Sequence, residues 1–102
     1  MTNIGERIKI LRLERDMSMD LLVADMNQRL NLQPQWNKSM ISRWESGEAE
    51  PNLENAKCLS VYFDVSLDYL IGLTDTRMPS RLLAYSRGLK KINKERNKDH
   101  EK

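Results

Sequence analysis

Apolar residues recur along this chain at helical spacing, and strand-like alternation is absent throughout. Ile4, Ile8 and Leu11 follow steps of four and three and predict a first helix over about residues 4–15 with one inward stripe. Ser18 is a good N-cap for a second helix, and Asp20 in its first turn suits the positive end of the helix dipole. Leu22, Val23 and Met26 form its apolar side, and it can extend through Arg29 and Leu30 before Pro34 forces a loop. A third helix starts after Asn37 and stops at Gly47. A fourth opens near Asn52 and runs to about Phe63, with Leu53, Ala56, Leu59 and Phe63 inward. Ser66 caps a short fifth helix over residues 67–71, which Gly72 ends. The expected fold class is all-α, with five helices packed as one unit over residues 1–73.

Residues 74–79 read as a linker. Beyond it, Ser80 can cap a helix over residues 80–92, in which Leu82, Tyr85, Leu89 and Ile92 follow the spacing of a narrow packing seam. Gly88 in its middle costs about 1 kcal/mol relative to alanine, so this helix needs something to pack on. Residues 93–102 are charged and nearly devoid of apolar groups, a composition that predicts disorder. Ile10 and Leu13 lie off the stripe of the first helix, where the 80–92 helix or a second subunit could cover them; isolated surface apolars are also ordinary.

The third helix carries the chemistry. Residues 37–51 read N-K-S-M-I-S-R-W-E-S-G-E-A-E-P, and steps of 100° per residue place Lys38, Ser39, Ser42 and Arg43 on one side, with Met40, Ile41 and Trp44 opposite. Arginine and lysine can donate to guanine O6 and N7, and short hydroxyls can pair with either kind of base edge, so the polar side suits duplex reading. Asn37 can cap the Ser39 and Met40 N–H groups, and Trp36 can close on Ile41 as a hydrophobic staple. Gly47 suits the left-handed conformation that ends many helices, and Pro51 prevents simple continuation.

Composition adds limits. The 102 residues suffice for one small domain and an appendage, the single Cys58 excludes an internal disulfide, and no stretch is long and apolar enough to span a membrane. The N-terminus lacks the uninterrupted apolar core of a secretion signal, which points to a soluble cytoplasmic protein. Lys and Arg total 17 against 15 Asp and Glu, which alone says little about nucleic acid. Residues 1–72 carry 8 basic and 11 acidic groups, whereas residues 73–102 carry 9 and 4, so only the local placement of Lys38 and Arg43 argues for a polyanionic partner. The basic C-terminal run is either a solubilising tail or a tracker of phosphates. Cys58 lacks metal-ligand spacing and His100 is the only histidine, so neither a metal site, a cofactor nor an enzyme activity is expected.

Three segments, I-G-E-R-I-K-I-L-R at 4–12, M-I-S-R-W-E-S-G at 40–47 and F-D-V-S-L-D-Y-L-I-G at 63–72, occur in an order that resembles the lambda-repressor-like, Cro/CI or XRE-type helix-turn-helix regulators, especially short phage-type repressors. The resemblance covers roughly the first 73 residues. It implies that the Ser18 and Asn37 helices form the bihelical unit, the second lying in the major groove of double-stranded DNA. By position it implies base contacts from Lys38, Ser39, Ser42 and Arg43, phosphate contacts from Ser18, Asn37, Ser46 and the Gly47 backbone, and an ion pair of Arg12 with Glu45 that supports the reading helix together with Trp36, Ile41 and Trp44. The chain departs from the family at Met19, where a glutamine is usual, in the long connection over residues 27–36, and in Glu48 and Glu50, whose charge opposes a nearby phosphate.

These readings lead to the expectation of a DNA-binding transcriptional regulator, a repressor by first preference. It would act as a homodimer on an inverted-repeat operator, with no cofactor and no evident small-molecule effector. Residues 67–73 and 80–92 are its candidate dimer surfaces. The competing expectation is a protein-interaction module of antirepressor or antitoxin type on the same scaffold, favoured by Met19, the two glutamates and the acidic balance of residues 1–72.

Overall fold

Each helix begins with a short polar side chain that accepts the backbone N–H three residues on: Asn3 from Glu6, Ser18 from Leu21, Asn37 from Met40, Asn52 from Asn55 and Ser66 from Tyr69, at 2.8–3.0 Å. Such a cap contributes about 1 kcal/mol by satisfying a donor that the helix itself leaves unpaired. The computed structural model describes residues 2–78, so the 80–92 helix and the 93–102 tail expected from the sequence lie outside the described residues.

The described residues form α1 (Ile4–Glu14), α2 (Met19–Leu30), α3 (Lys38–Ser46), α4 (Leu53–Phe63) and α5 (Leu67–Leu70), with no strand among them. Three of the helices end on a residue of positive φ: α2 at Asn31, α3 at Gly47 and α4 at Asp64. Asn and Asp tolerate this left-handed backbone because their short side chains relieve part of its cost, which is why these stops need not be glycine.

The core is built from Ile8 and Leu11 of α1, Leu22 and Met26 of α2, Ile41 and Trp44 of α3, Ala56, Leu59 and Phe63 of α4, and Tyr69 and Leu70 of α5. α1 packs on α3 and α5, while α2 packs on α3 and α4 and α4 also meets α5. As a result α3 is held from beneath by two helices, and its remaining face points outward.

Several details differ from expectation. Leu53 has the right angle to join the stripe of α4, yet it is 62% exposed. It is the first residue of that helix, preceded by a largely exposed loop, and no neighbour covers it. α5 stops at Leu70, with Ile71 as its C-cap, because the Gly72 backbone turns the chain at φ 87°. Asn37 caps only Met40.

The first residues of the expected linker lie against the domain. The Arg77 carbonyl accepts from the Ser66 N–H at 2.9 Å, and the Arg77 guanidinium makes a two-pronged pair with Glu14 at 2.7 Å on each arm. Asp75 accepts from the buried Arg7 at 2.9 Å. Arg7 also lies over the Tyr69 ring, so this strap supplies the counter-charge that a buried cation requires.

Candidate nucleic-acid interface

The two sides of α3 are as different in burial as in chemistry. Ile41 is fully buried and Trp44 nearly so, while Lys38, Ser39, Ser42 and Arg43 are all exposed. Trp36, just before the helix, is buried too, and its ring meets that of Trp44 edge to face at 5.0 Å. This is a favourable aromatic geometry, and it anchors both ends of the helix underside to one cluster. The staple that the sequence suggested for Trp36 thus has Trp44 as its ring partner.

Arg12 of α1 pairs with Glu45 of α3 through two parallel hydrogen bonds, Nε to Oε2 and Nη2 to Oε1, both at 2.8 Å. Its third nitrogen, Nη1, donates to the Met17 carbonyl at 2.8 Å. Both side chains are more than nine-tenths buried. The hydrogen bonds to Glu45 raise the Arg12 pKa in spite of burial, which pulls the other way. A buried pair of this kind contributes little net stability over an apolar substitute, but it fixes orientation, because any displacement of α3 would strand a charge.

The outward cations have only loose companions. Lys38 lies 3.9 Å from Asp20 and Arg43 lies 3.8 Å from Glu48, with all four side chains well exposed. Exposed pairs at such distances are worth little and give way readily to a better partner.

Among the residues expected to meet phosphate, Ser18 and Asn37 sit at the N-termini of α2 and α3 and use an oxygen as a cap. Both retain a donor, the Ser18 hydroxyl proton and the Asn37 amide N–H, and they stand at the positive ends of two helix dipoles. Ser46 and Gly47 are placed differently. The Ser46 hydroxyl donates to the Arg43 carbonyl at 3.1 Å, and the Gly47 N–H donates to the Trp44 carbonyl at 3.3 Å, so both donors already close the end of α3.

One participant was not singled out from the sequence. The Asn27 side chain accepts from the Trp36 N–H at 2.8 Å and donates to the Trp36 carbonyl at 3.0 Å, bridging the connection between α2 and α3. Periodicity does not mark it, since Asn27 is neither apolar nor at a helix start. The remaining signal is an asparagine at the head of a long connection.

Two successive helices, the second clamped beneath and polar above, within five helices, define the helix-turn-helix class. The chain belongs to this family: the family model described as helix-turn-helix matches residues 8–70, more than half of the chain. It is similar to the HTH-type transcriptional activator BcrR of Enterococcus faecalis, at 30% identity over 67 residues. That match takes in 66% of this chain but only 29% of the relative's length. Among solved structures it is similar to the P22 c2 repressor protein in complex with a synthetic operator, at 30% identity and a TM-score of 0.54, covering 70% of this chain and 96% of that one.

Proposed function

We propose that this chain is a sequence-specific regulator of transcription that lays α3 in the major groove of double-stranded DNA. Lys38, Ser39, Ser42 and Arg43 read base edges, and Ser18 and Asn37 donate to backbone phosphates at the starts of α2 and α3. Ser46 and Gly47 donate to phosphate only by giving up the bonds that close α3, so their contribution is the smaller. The observation that carries this reading is the exposed cationic and hydroxyl-bearing face of α3 on a helix fixed from below by Trp36, Ile41, Trp44 and the Arg12–Glu45 pair. The operator complex of the similar P22 c2 repressor supports it.

One such unit spans only a few base pairs, so useful selectivity calls for a homodimer on an inverted repeat, with half-sites about one helical turn apart. Ile71 and Leu73, both exposed beyond α5, are the described residues best suited to the dimer contact. Repression by occupancy of a promoter is the simplest output of a domain this small. The test is a gel shift with DNA flanking its own gene, repeated at two salt concentrations, followed by transcription from that template. A shift that survives excess unrelated duplex, weakens with salt and lowers transcript yield is the expected result.

The acidic companions of Lys38 and Arg43 favour a second reading, in which the same face meets a protein and DNA binding is incidental. Equal competition by unrelated duplex, together with a stable complex with a protein partner, would select it.

A further inference from the structure

We infer that Asn27 is a positioning residue that sets the register of the reading helix, and so the base preference of the protein. This rests on the base-reading role proposed for α3. Seven residues, 31–37, separate α2 from α3, and a connection of that length does not by itself fix where α3 begins relative to α2, which leaves fine adjustment of its start to other contacts. Base hydrogen bonds tolerate a heavy-atom range of only a few tenths of an ångström, so such freedom would blur discrimination.

The structure closes the connection at one residue. The Asn27 backbone carbonyl accepts from the Asn31 N–H, the C-cap of α2, and from the Leu32 N–H at 3.3 Å, so it marks where α2 ends. Its side-chain amide takes both backbone polar groups of Trp36, at 2.8 and 3.0 Å, two residues before α3 begins. The Trp36 N–H requires an acceptor and the Trp36 carbonyl a donor, and this fixes which way round the amide lies. The loop between is short-circuited, and α3 inherits its starting position from α2. The Trp36 ring against Trp44 then transmits that position along the helix underside. The Arg12–Glu45 pair ties α3 to α1 near the other end, so Asn27 adds a polar tie at the start of a helix whose middle is held by Ile41 and Trp44.

The test compares wild type, Asn27→Ala and Asn27→Asp on a duplex selected from a random pool by the wild-type protein, on its single-base variants and on unrelated duplex. Asn27→Asp keeps the size and the acceptor for the Trp36 N–H but turns a carboxylate oxygen toward the Trp36 carbonyl. Each variant should lose about tenfold or more in preference for the selected site over its variants, while affinity for unrelated duplex stays within about twofold. Near-ultraviolet circular dichroism of the two indoles should change with the far-ultraviolet signal retained. Where Asn27→Ala does not fold, the isosteric Asn27→Asp carries the comparison. An unchanged preference, a parallel loss on all duplexes, or unaltered indole dichroism would overturn the inference. A wild-type protein that selects no sequence would refute base reading itself, and the dichroism would then still decide whether Asn27 positions α3.

Discussion

Gly5 of α1 lies directly beneath the Trp44 carbonyl of α3, and a Cβ built on it would collide with that oxygen and its carbon. The obstacle is backbone, so no rotamer change relieves it. α1 and α3 therefore approach as closely as they do only because residue 5 has no side chain, and the same contact seats the reading helix on its support. Gly5→Ala should force the two helices apart and destabilise the domain by about 1–3 kcal/mol, seen as a lower denaturation midpoint. Alanine's better helix propensity, about 1 kcal/mol at most, opposes this without reversing it.

Removal of one member of the buried pair should be more damaging than removal of both. Glu45→Ala leaves the Arg12 guanidinium buried without a counter-charge, at a cost of about 3–5 kcal/mol in unfolding free energy. The double replacement Arg12→Met with Glu45→Leu removes the charge along with its partner and should recover most of that loss. Urea denaturation of Arg12→Met, Glu45→Leu and the double variant gives the coupling directly; additive losses would mean that the pair does not act as a unit.

The helix pattern was legible because it rests on local signals. The caps Ser18, Asn37, Asn52 and Ser66 and the stop at Gly47 are chain-local chemistry, and the structure uses each of them at the expected helix end. The two faces of α3 were legible for the same reason, since amphipathic spacing states which side is buried. What stayed hidden depends on contacts between residues far apart in the chain. Gly5 against Trp44, Asn27 against Trp36 and Arg7 against Asp75 have no periodic signature. Leu53 shows the converse failure, because an angle on a helical wheel says nothing about whether the helix end reaches the core.

Base reading and phosphate contact by the cations of α3 lead to different mutational patterns. Arg43→Ala should weaken operator binding by about 1–3 kcal/mol and relax preference at one base position. Lys38→Ala should likewise relax preference, at a second base position; an even loss over sequences with a salt slope smaller by about one would place its ammonium on phosphate instead. Binding isotherms on a set of single-base variants at three salt concentrations separate the two. An even loss for Arg43→Ala would place that guanidinium on phosphate.

Alkaline stability should report on one hydrogen bond between α2 and α4. Tyr62 donates to the Asp25 carboxylate; burial first, and that carboxylate second, push the phenol from 10.0 up to about 12. Between those values the folded chain keeps a proton that the unfolded chain has already lost. Stability is therefore fully present below pH 10 and declines as pH rises toward 12. Tyr62→Phe should flatten this part of the profile, measured as denaturation midpoint against pH, while showing lower stability near neutrality.

The strap of residues 74–78 makes the length of the folded unit measurable. Asp75 is the carboxylate partner of Arg7, whose Nε is buried without a hydrogen bond, and the Arg77 backbone and side chain tie the strap to Ser66 and Glu14. A chain ended after Gly72 loses all three ties and leaves Arg7 as a buried cation with only the Tyr69 ring for company. A chain ended after Met78 keeps every one of them. The first truncation should melt several degrees below the second, the difference that roughly 1 kcal/mol produces in a domain of this size. Asp75→Asn should reproduce part of the loss without shortening the chain, since it removes the charge and leaves the backbone ties in place. Equal melting temperatures for the two truncations would mean that Arg7 is satisfied by Tyr69 alone and that the strap is no part of the folded unit.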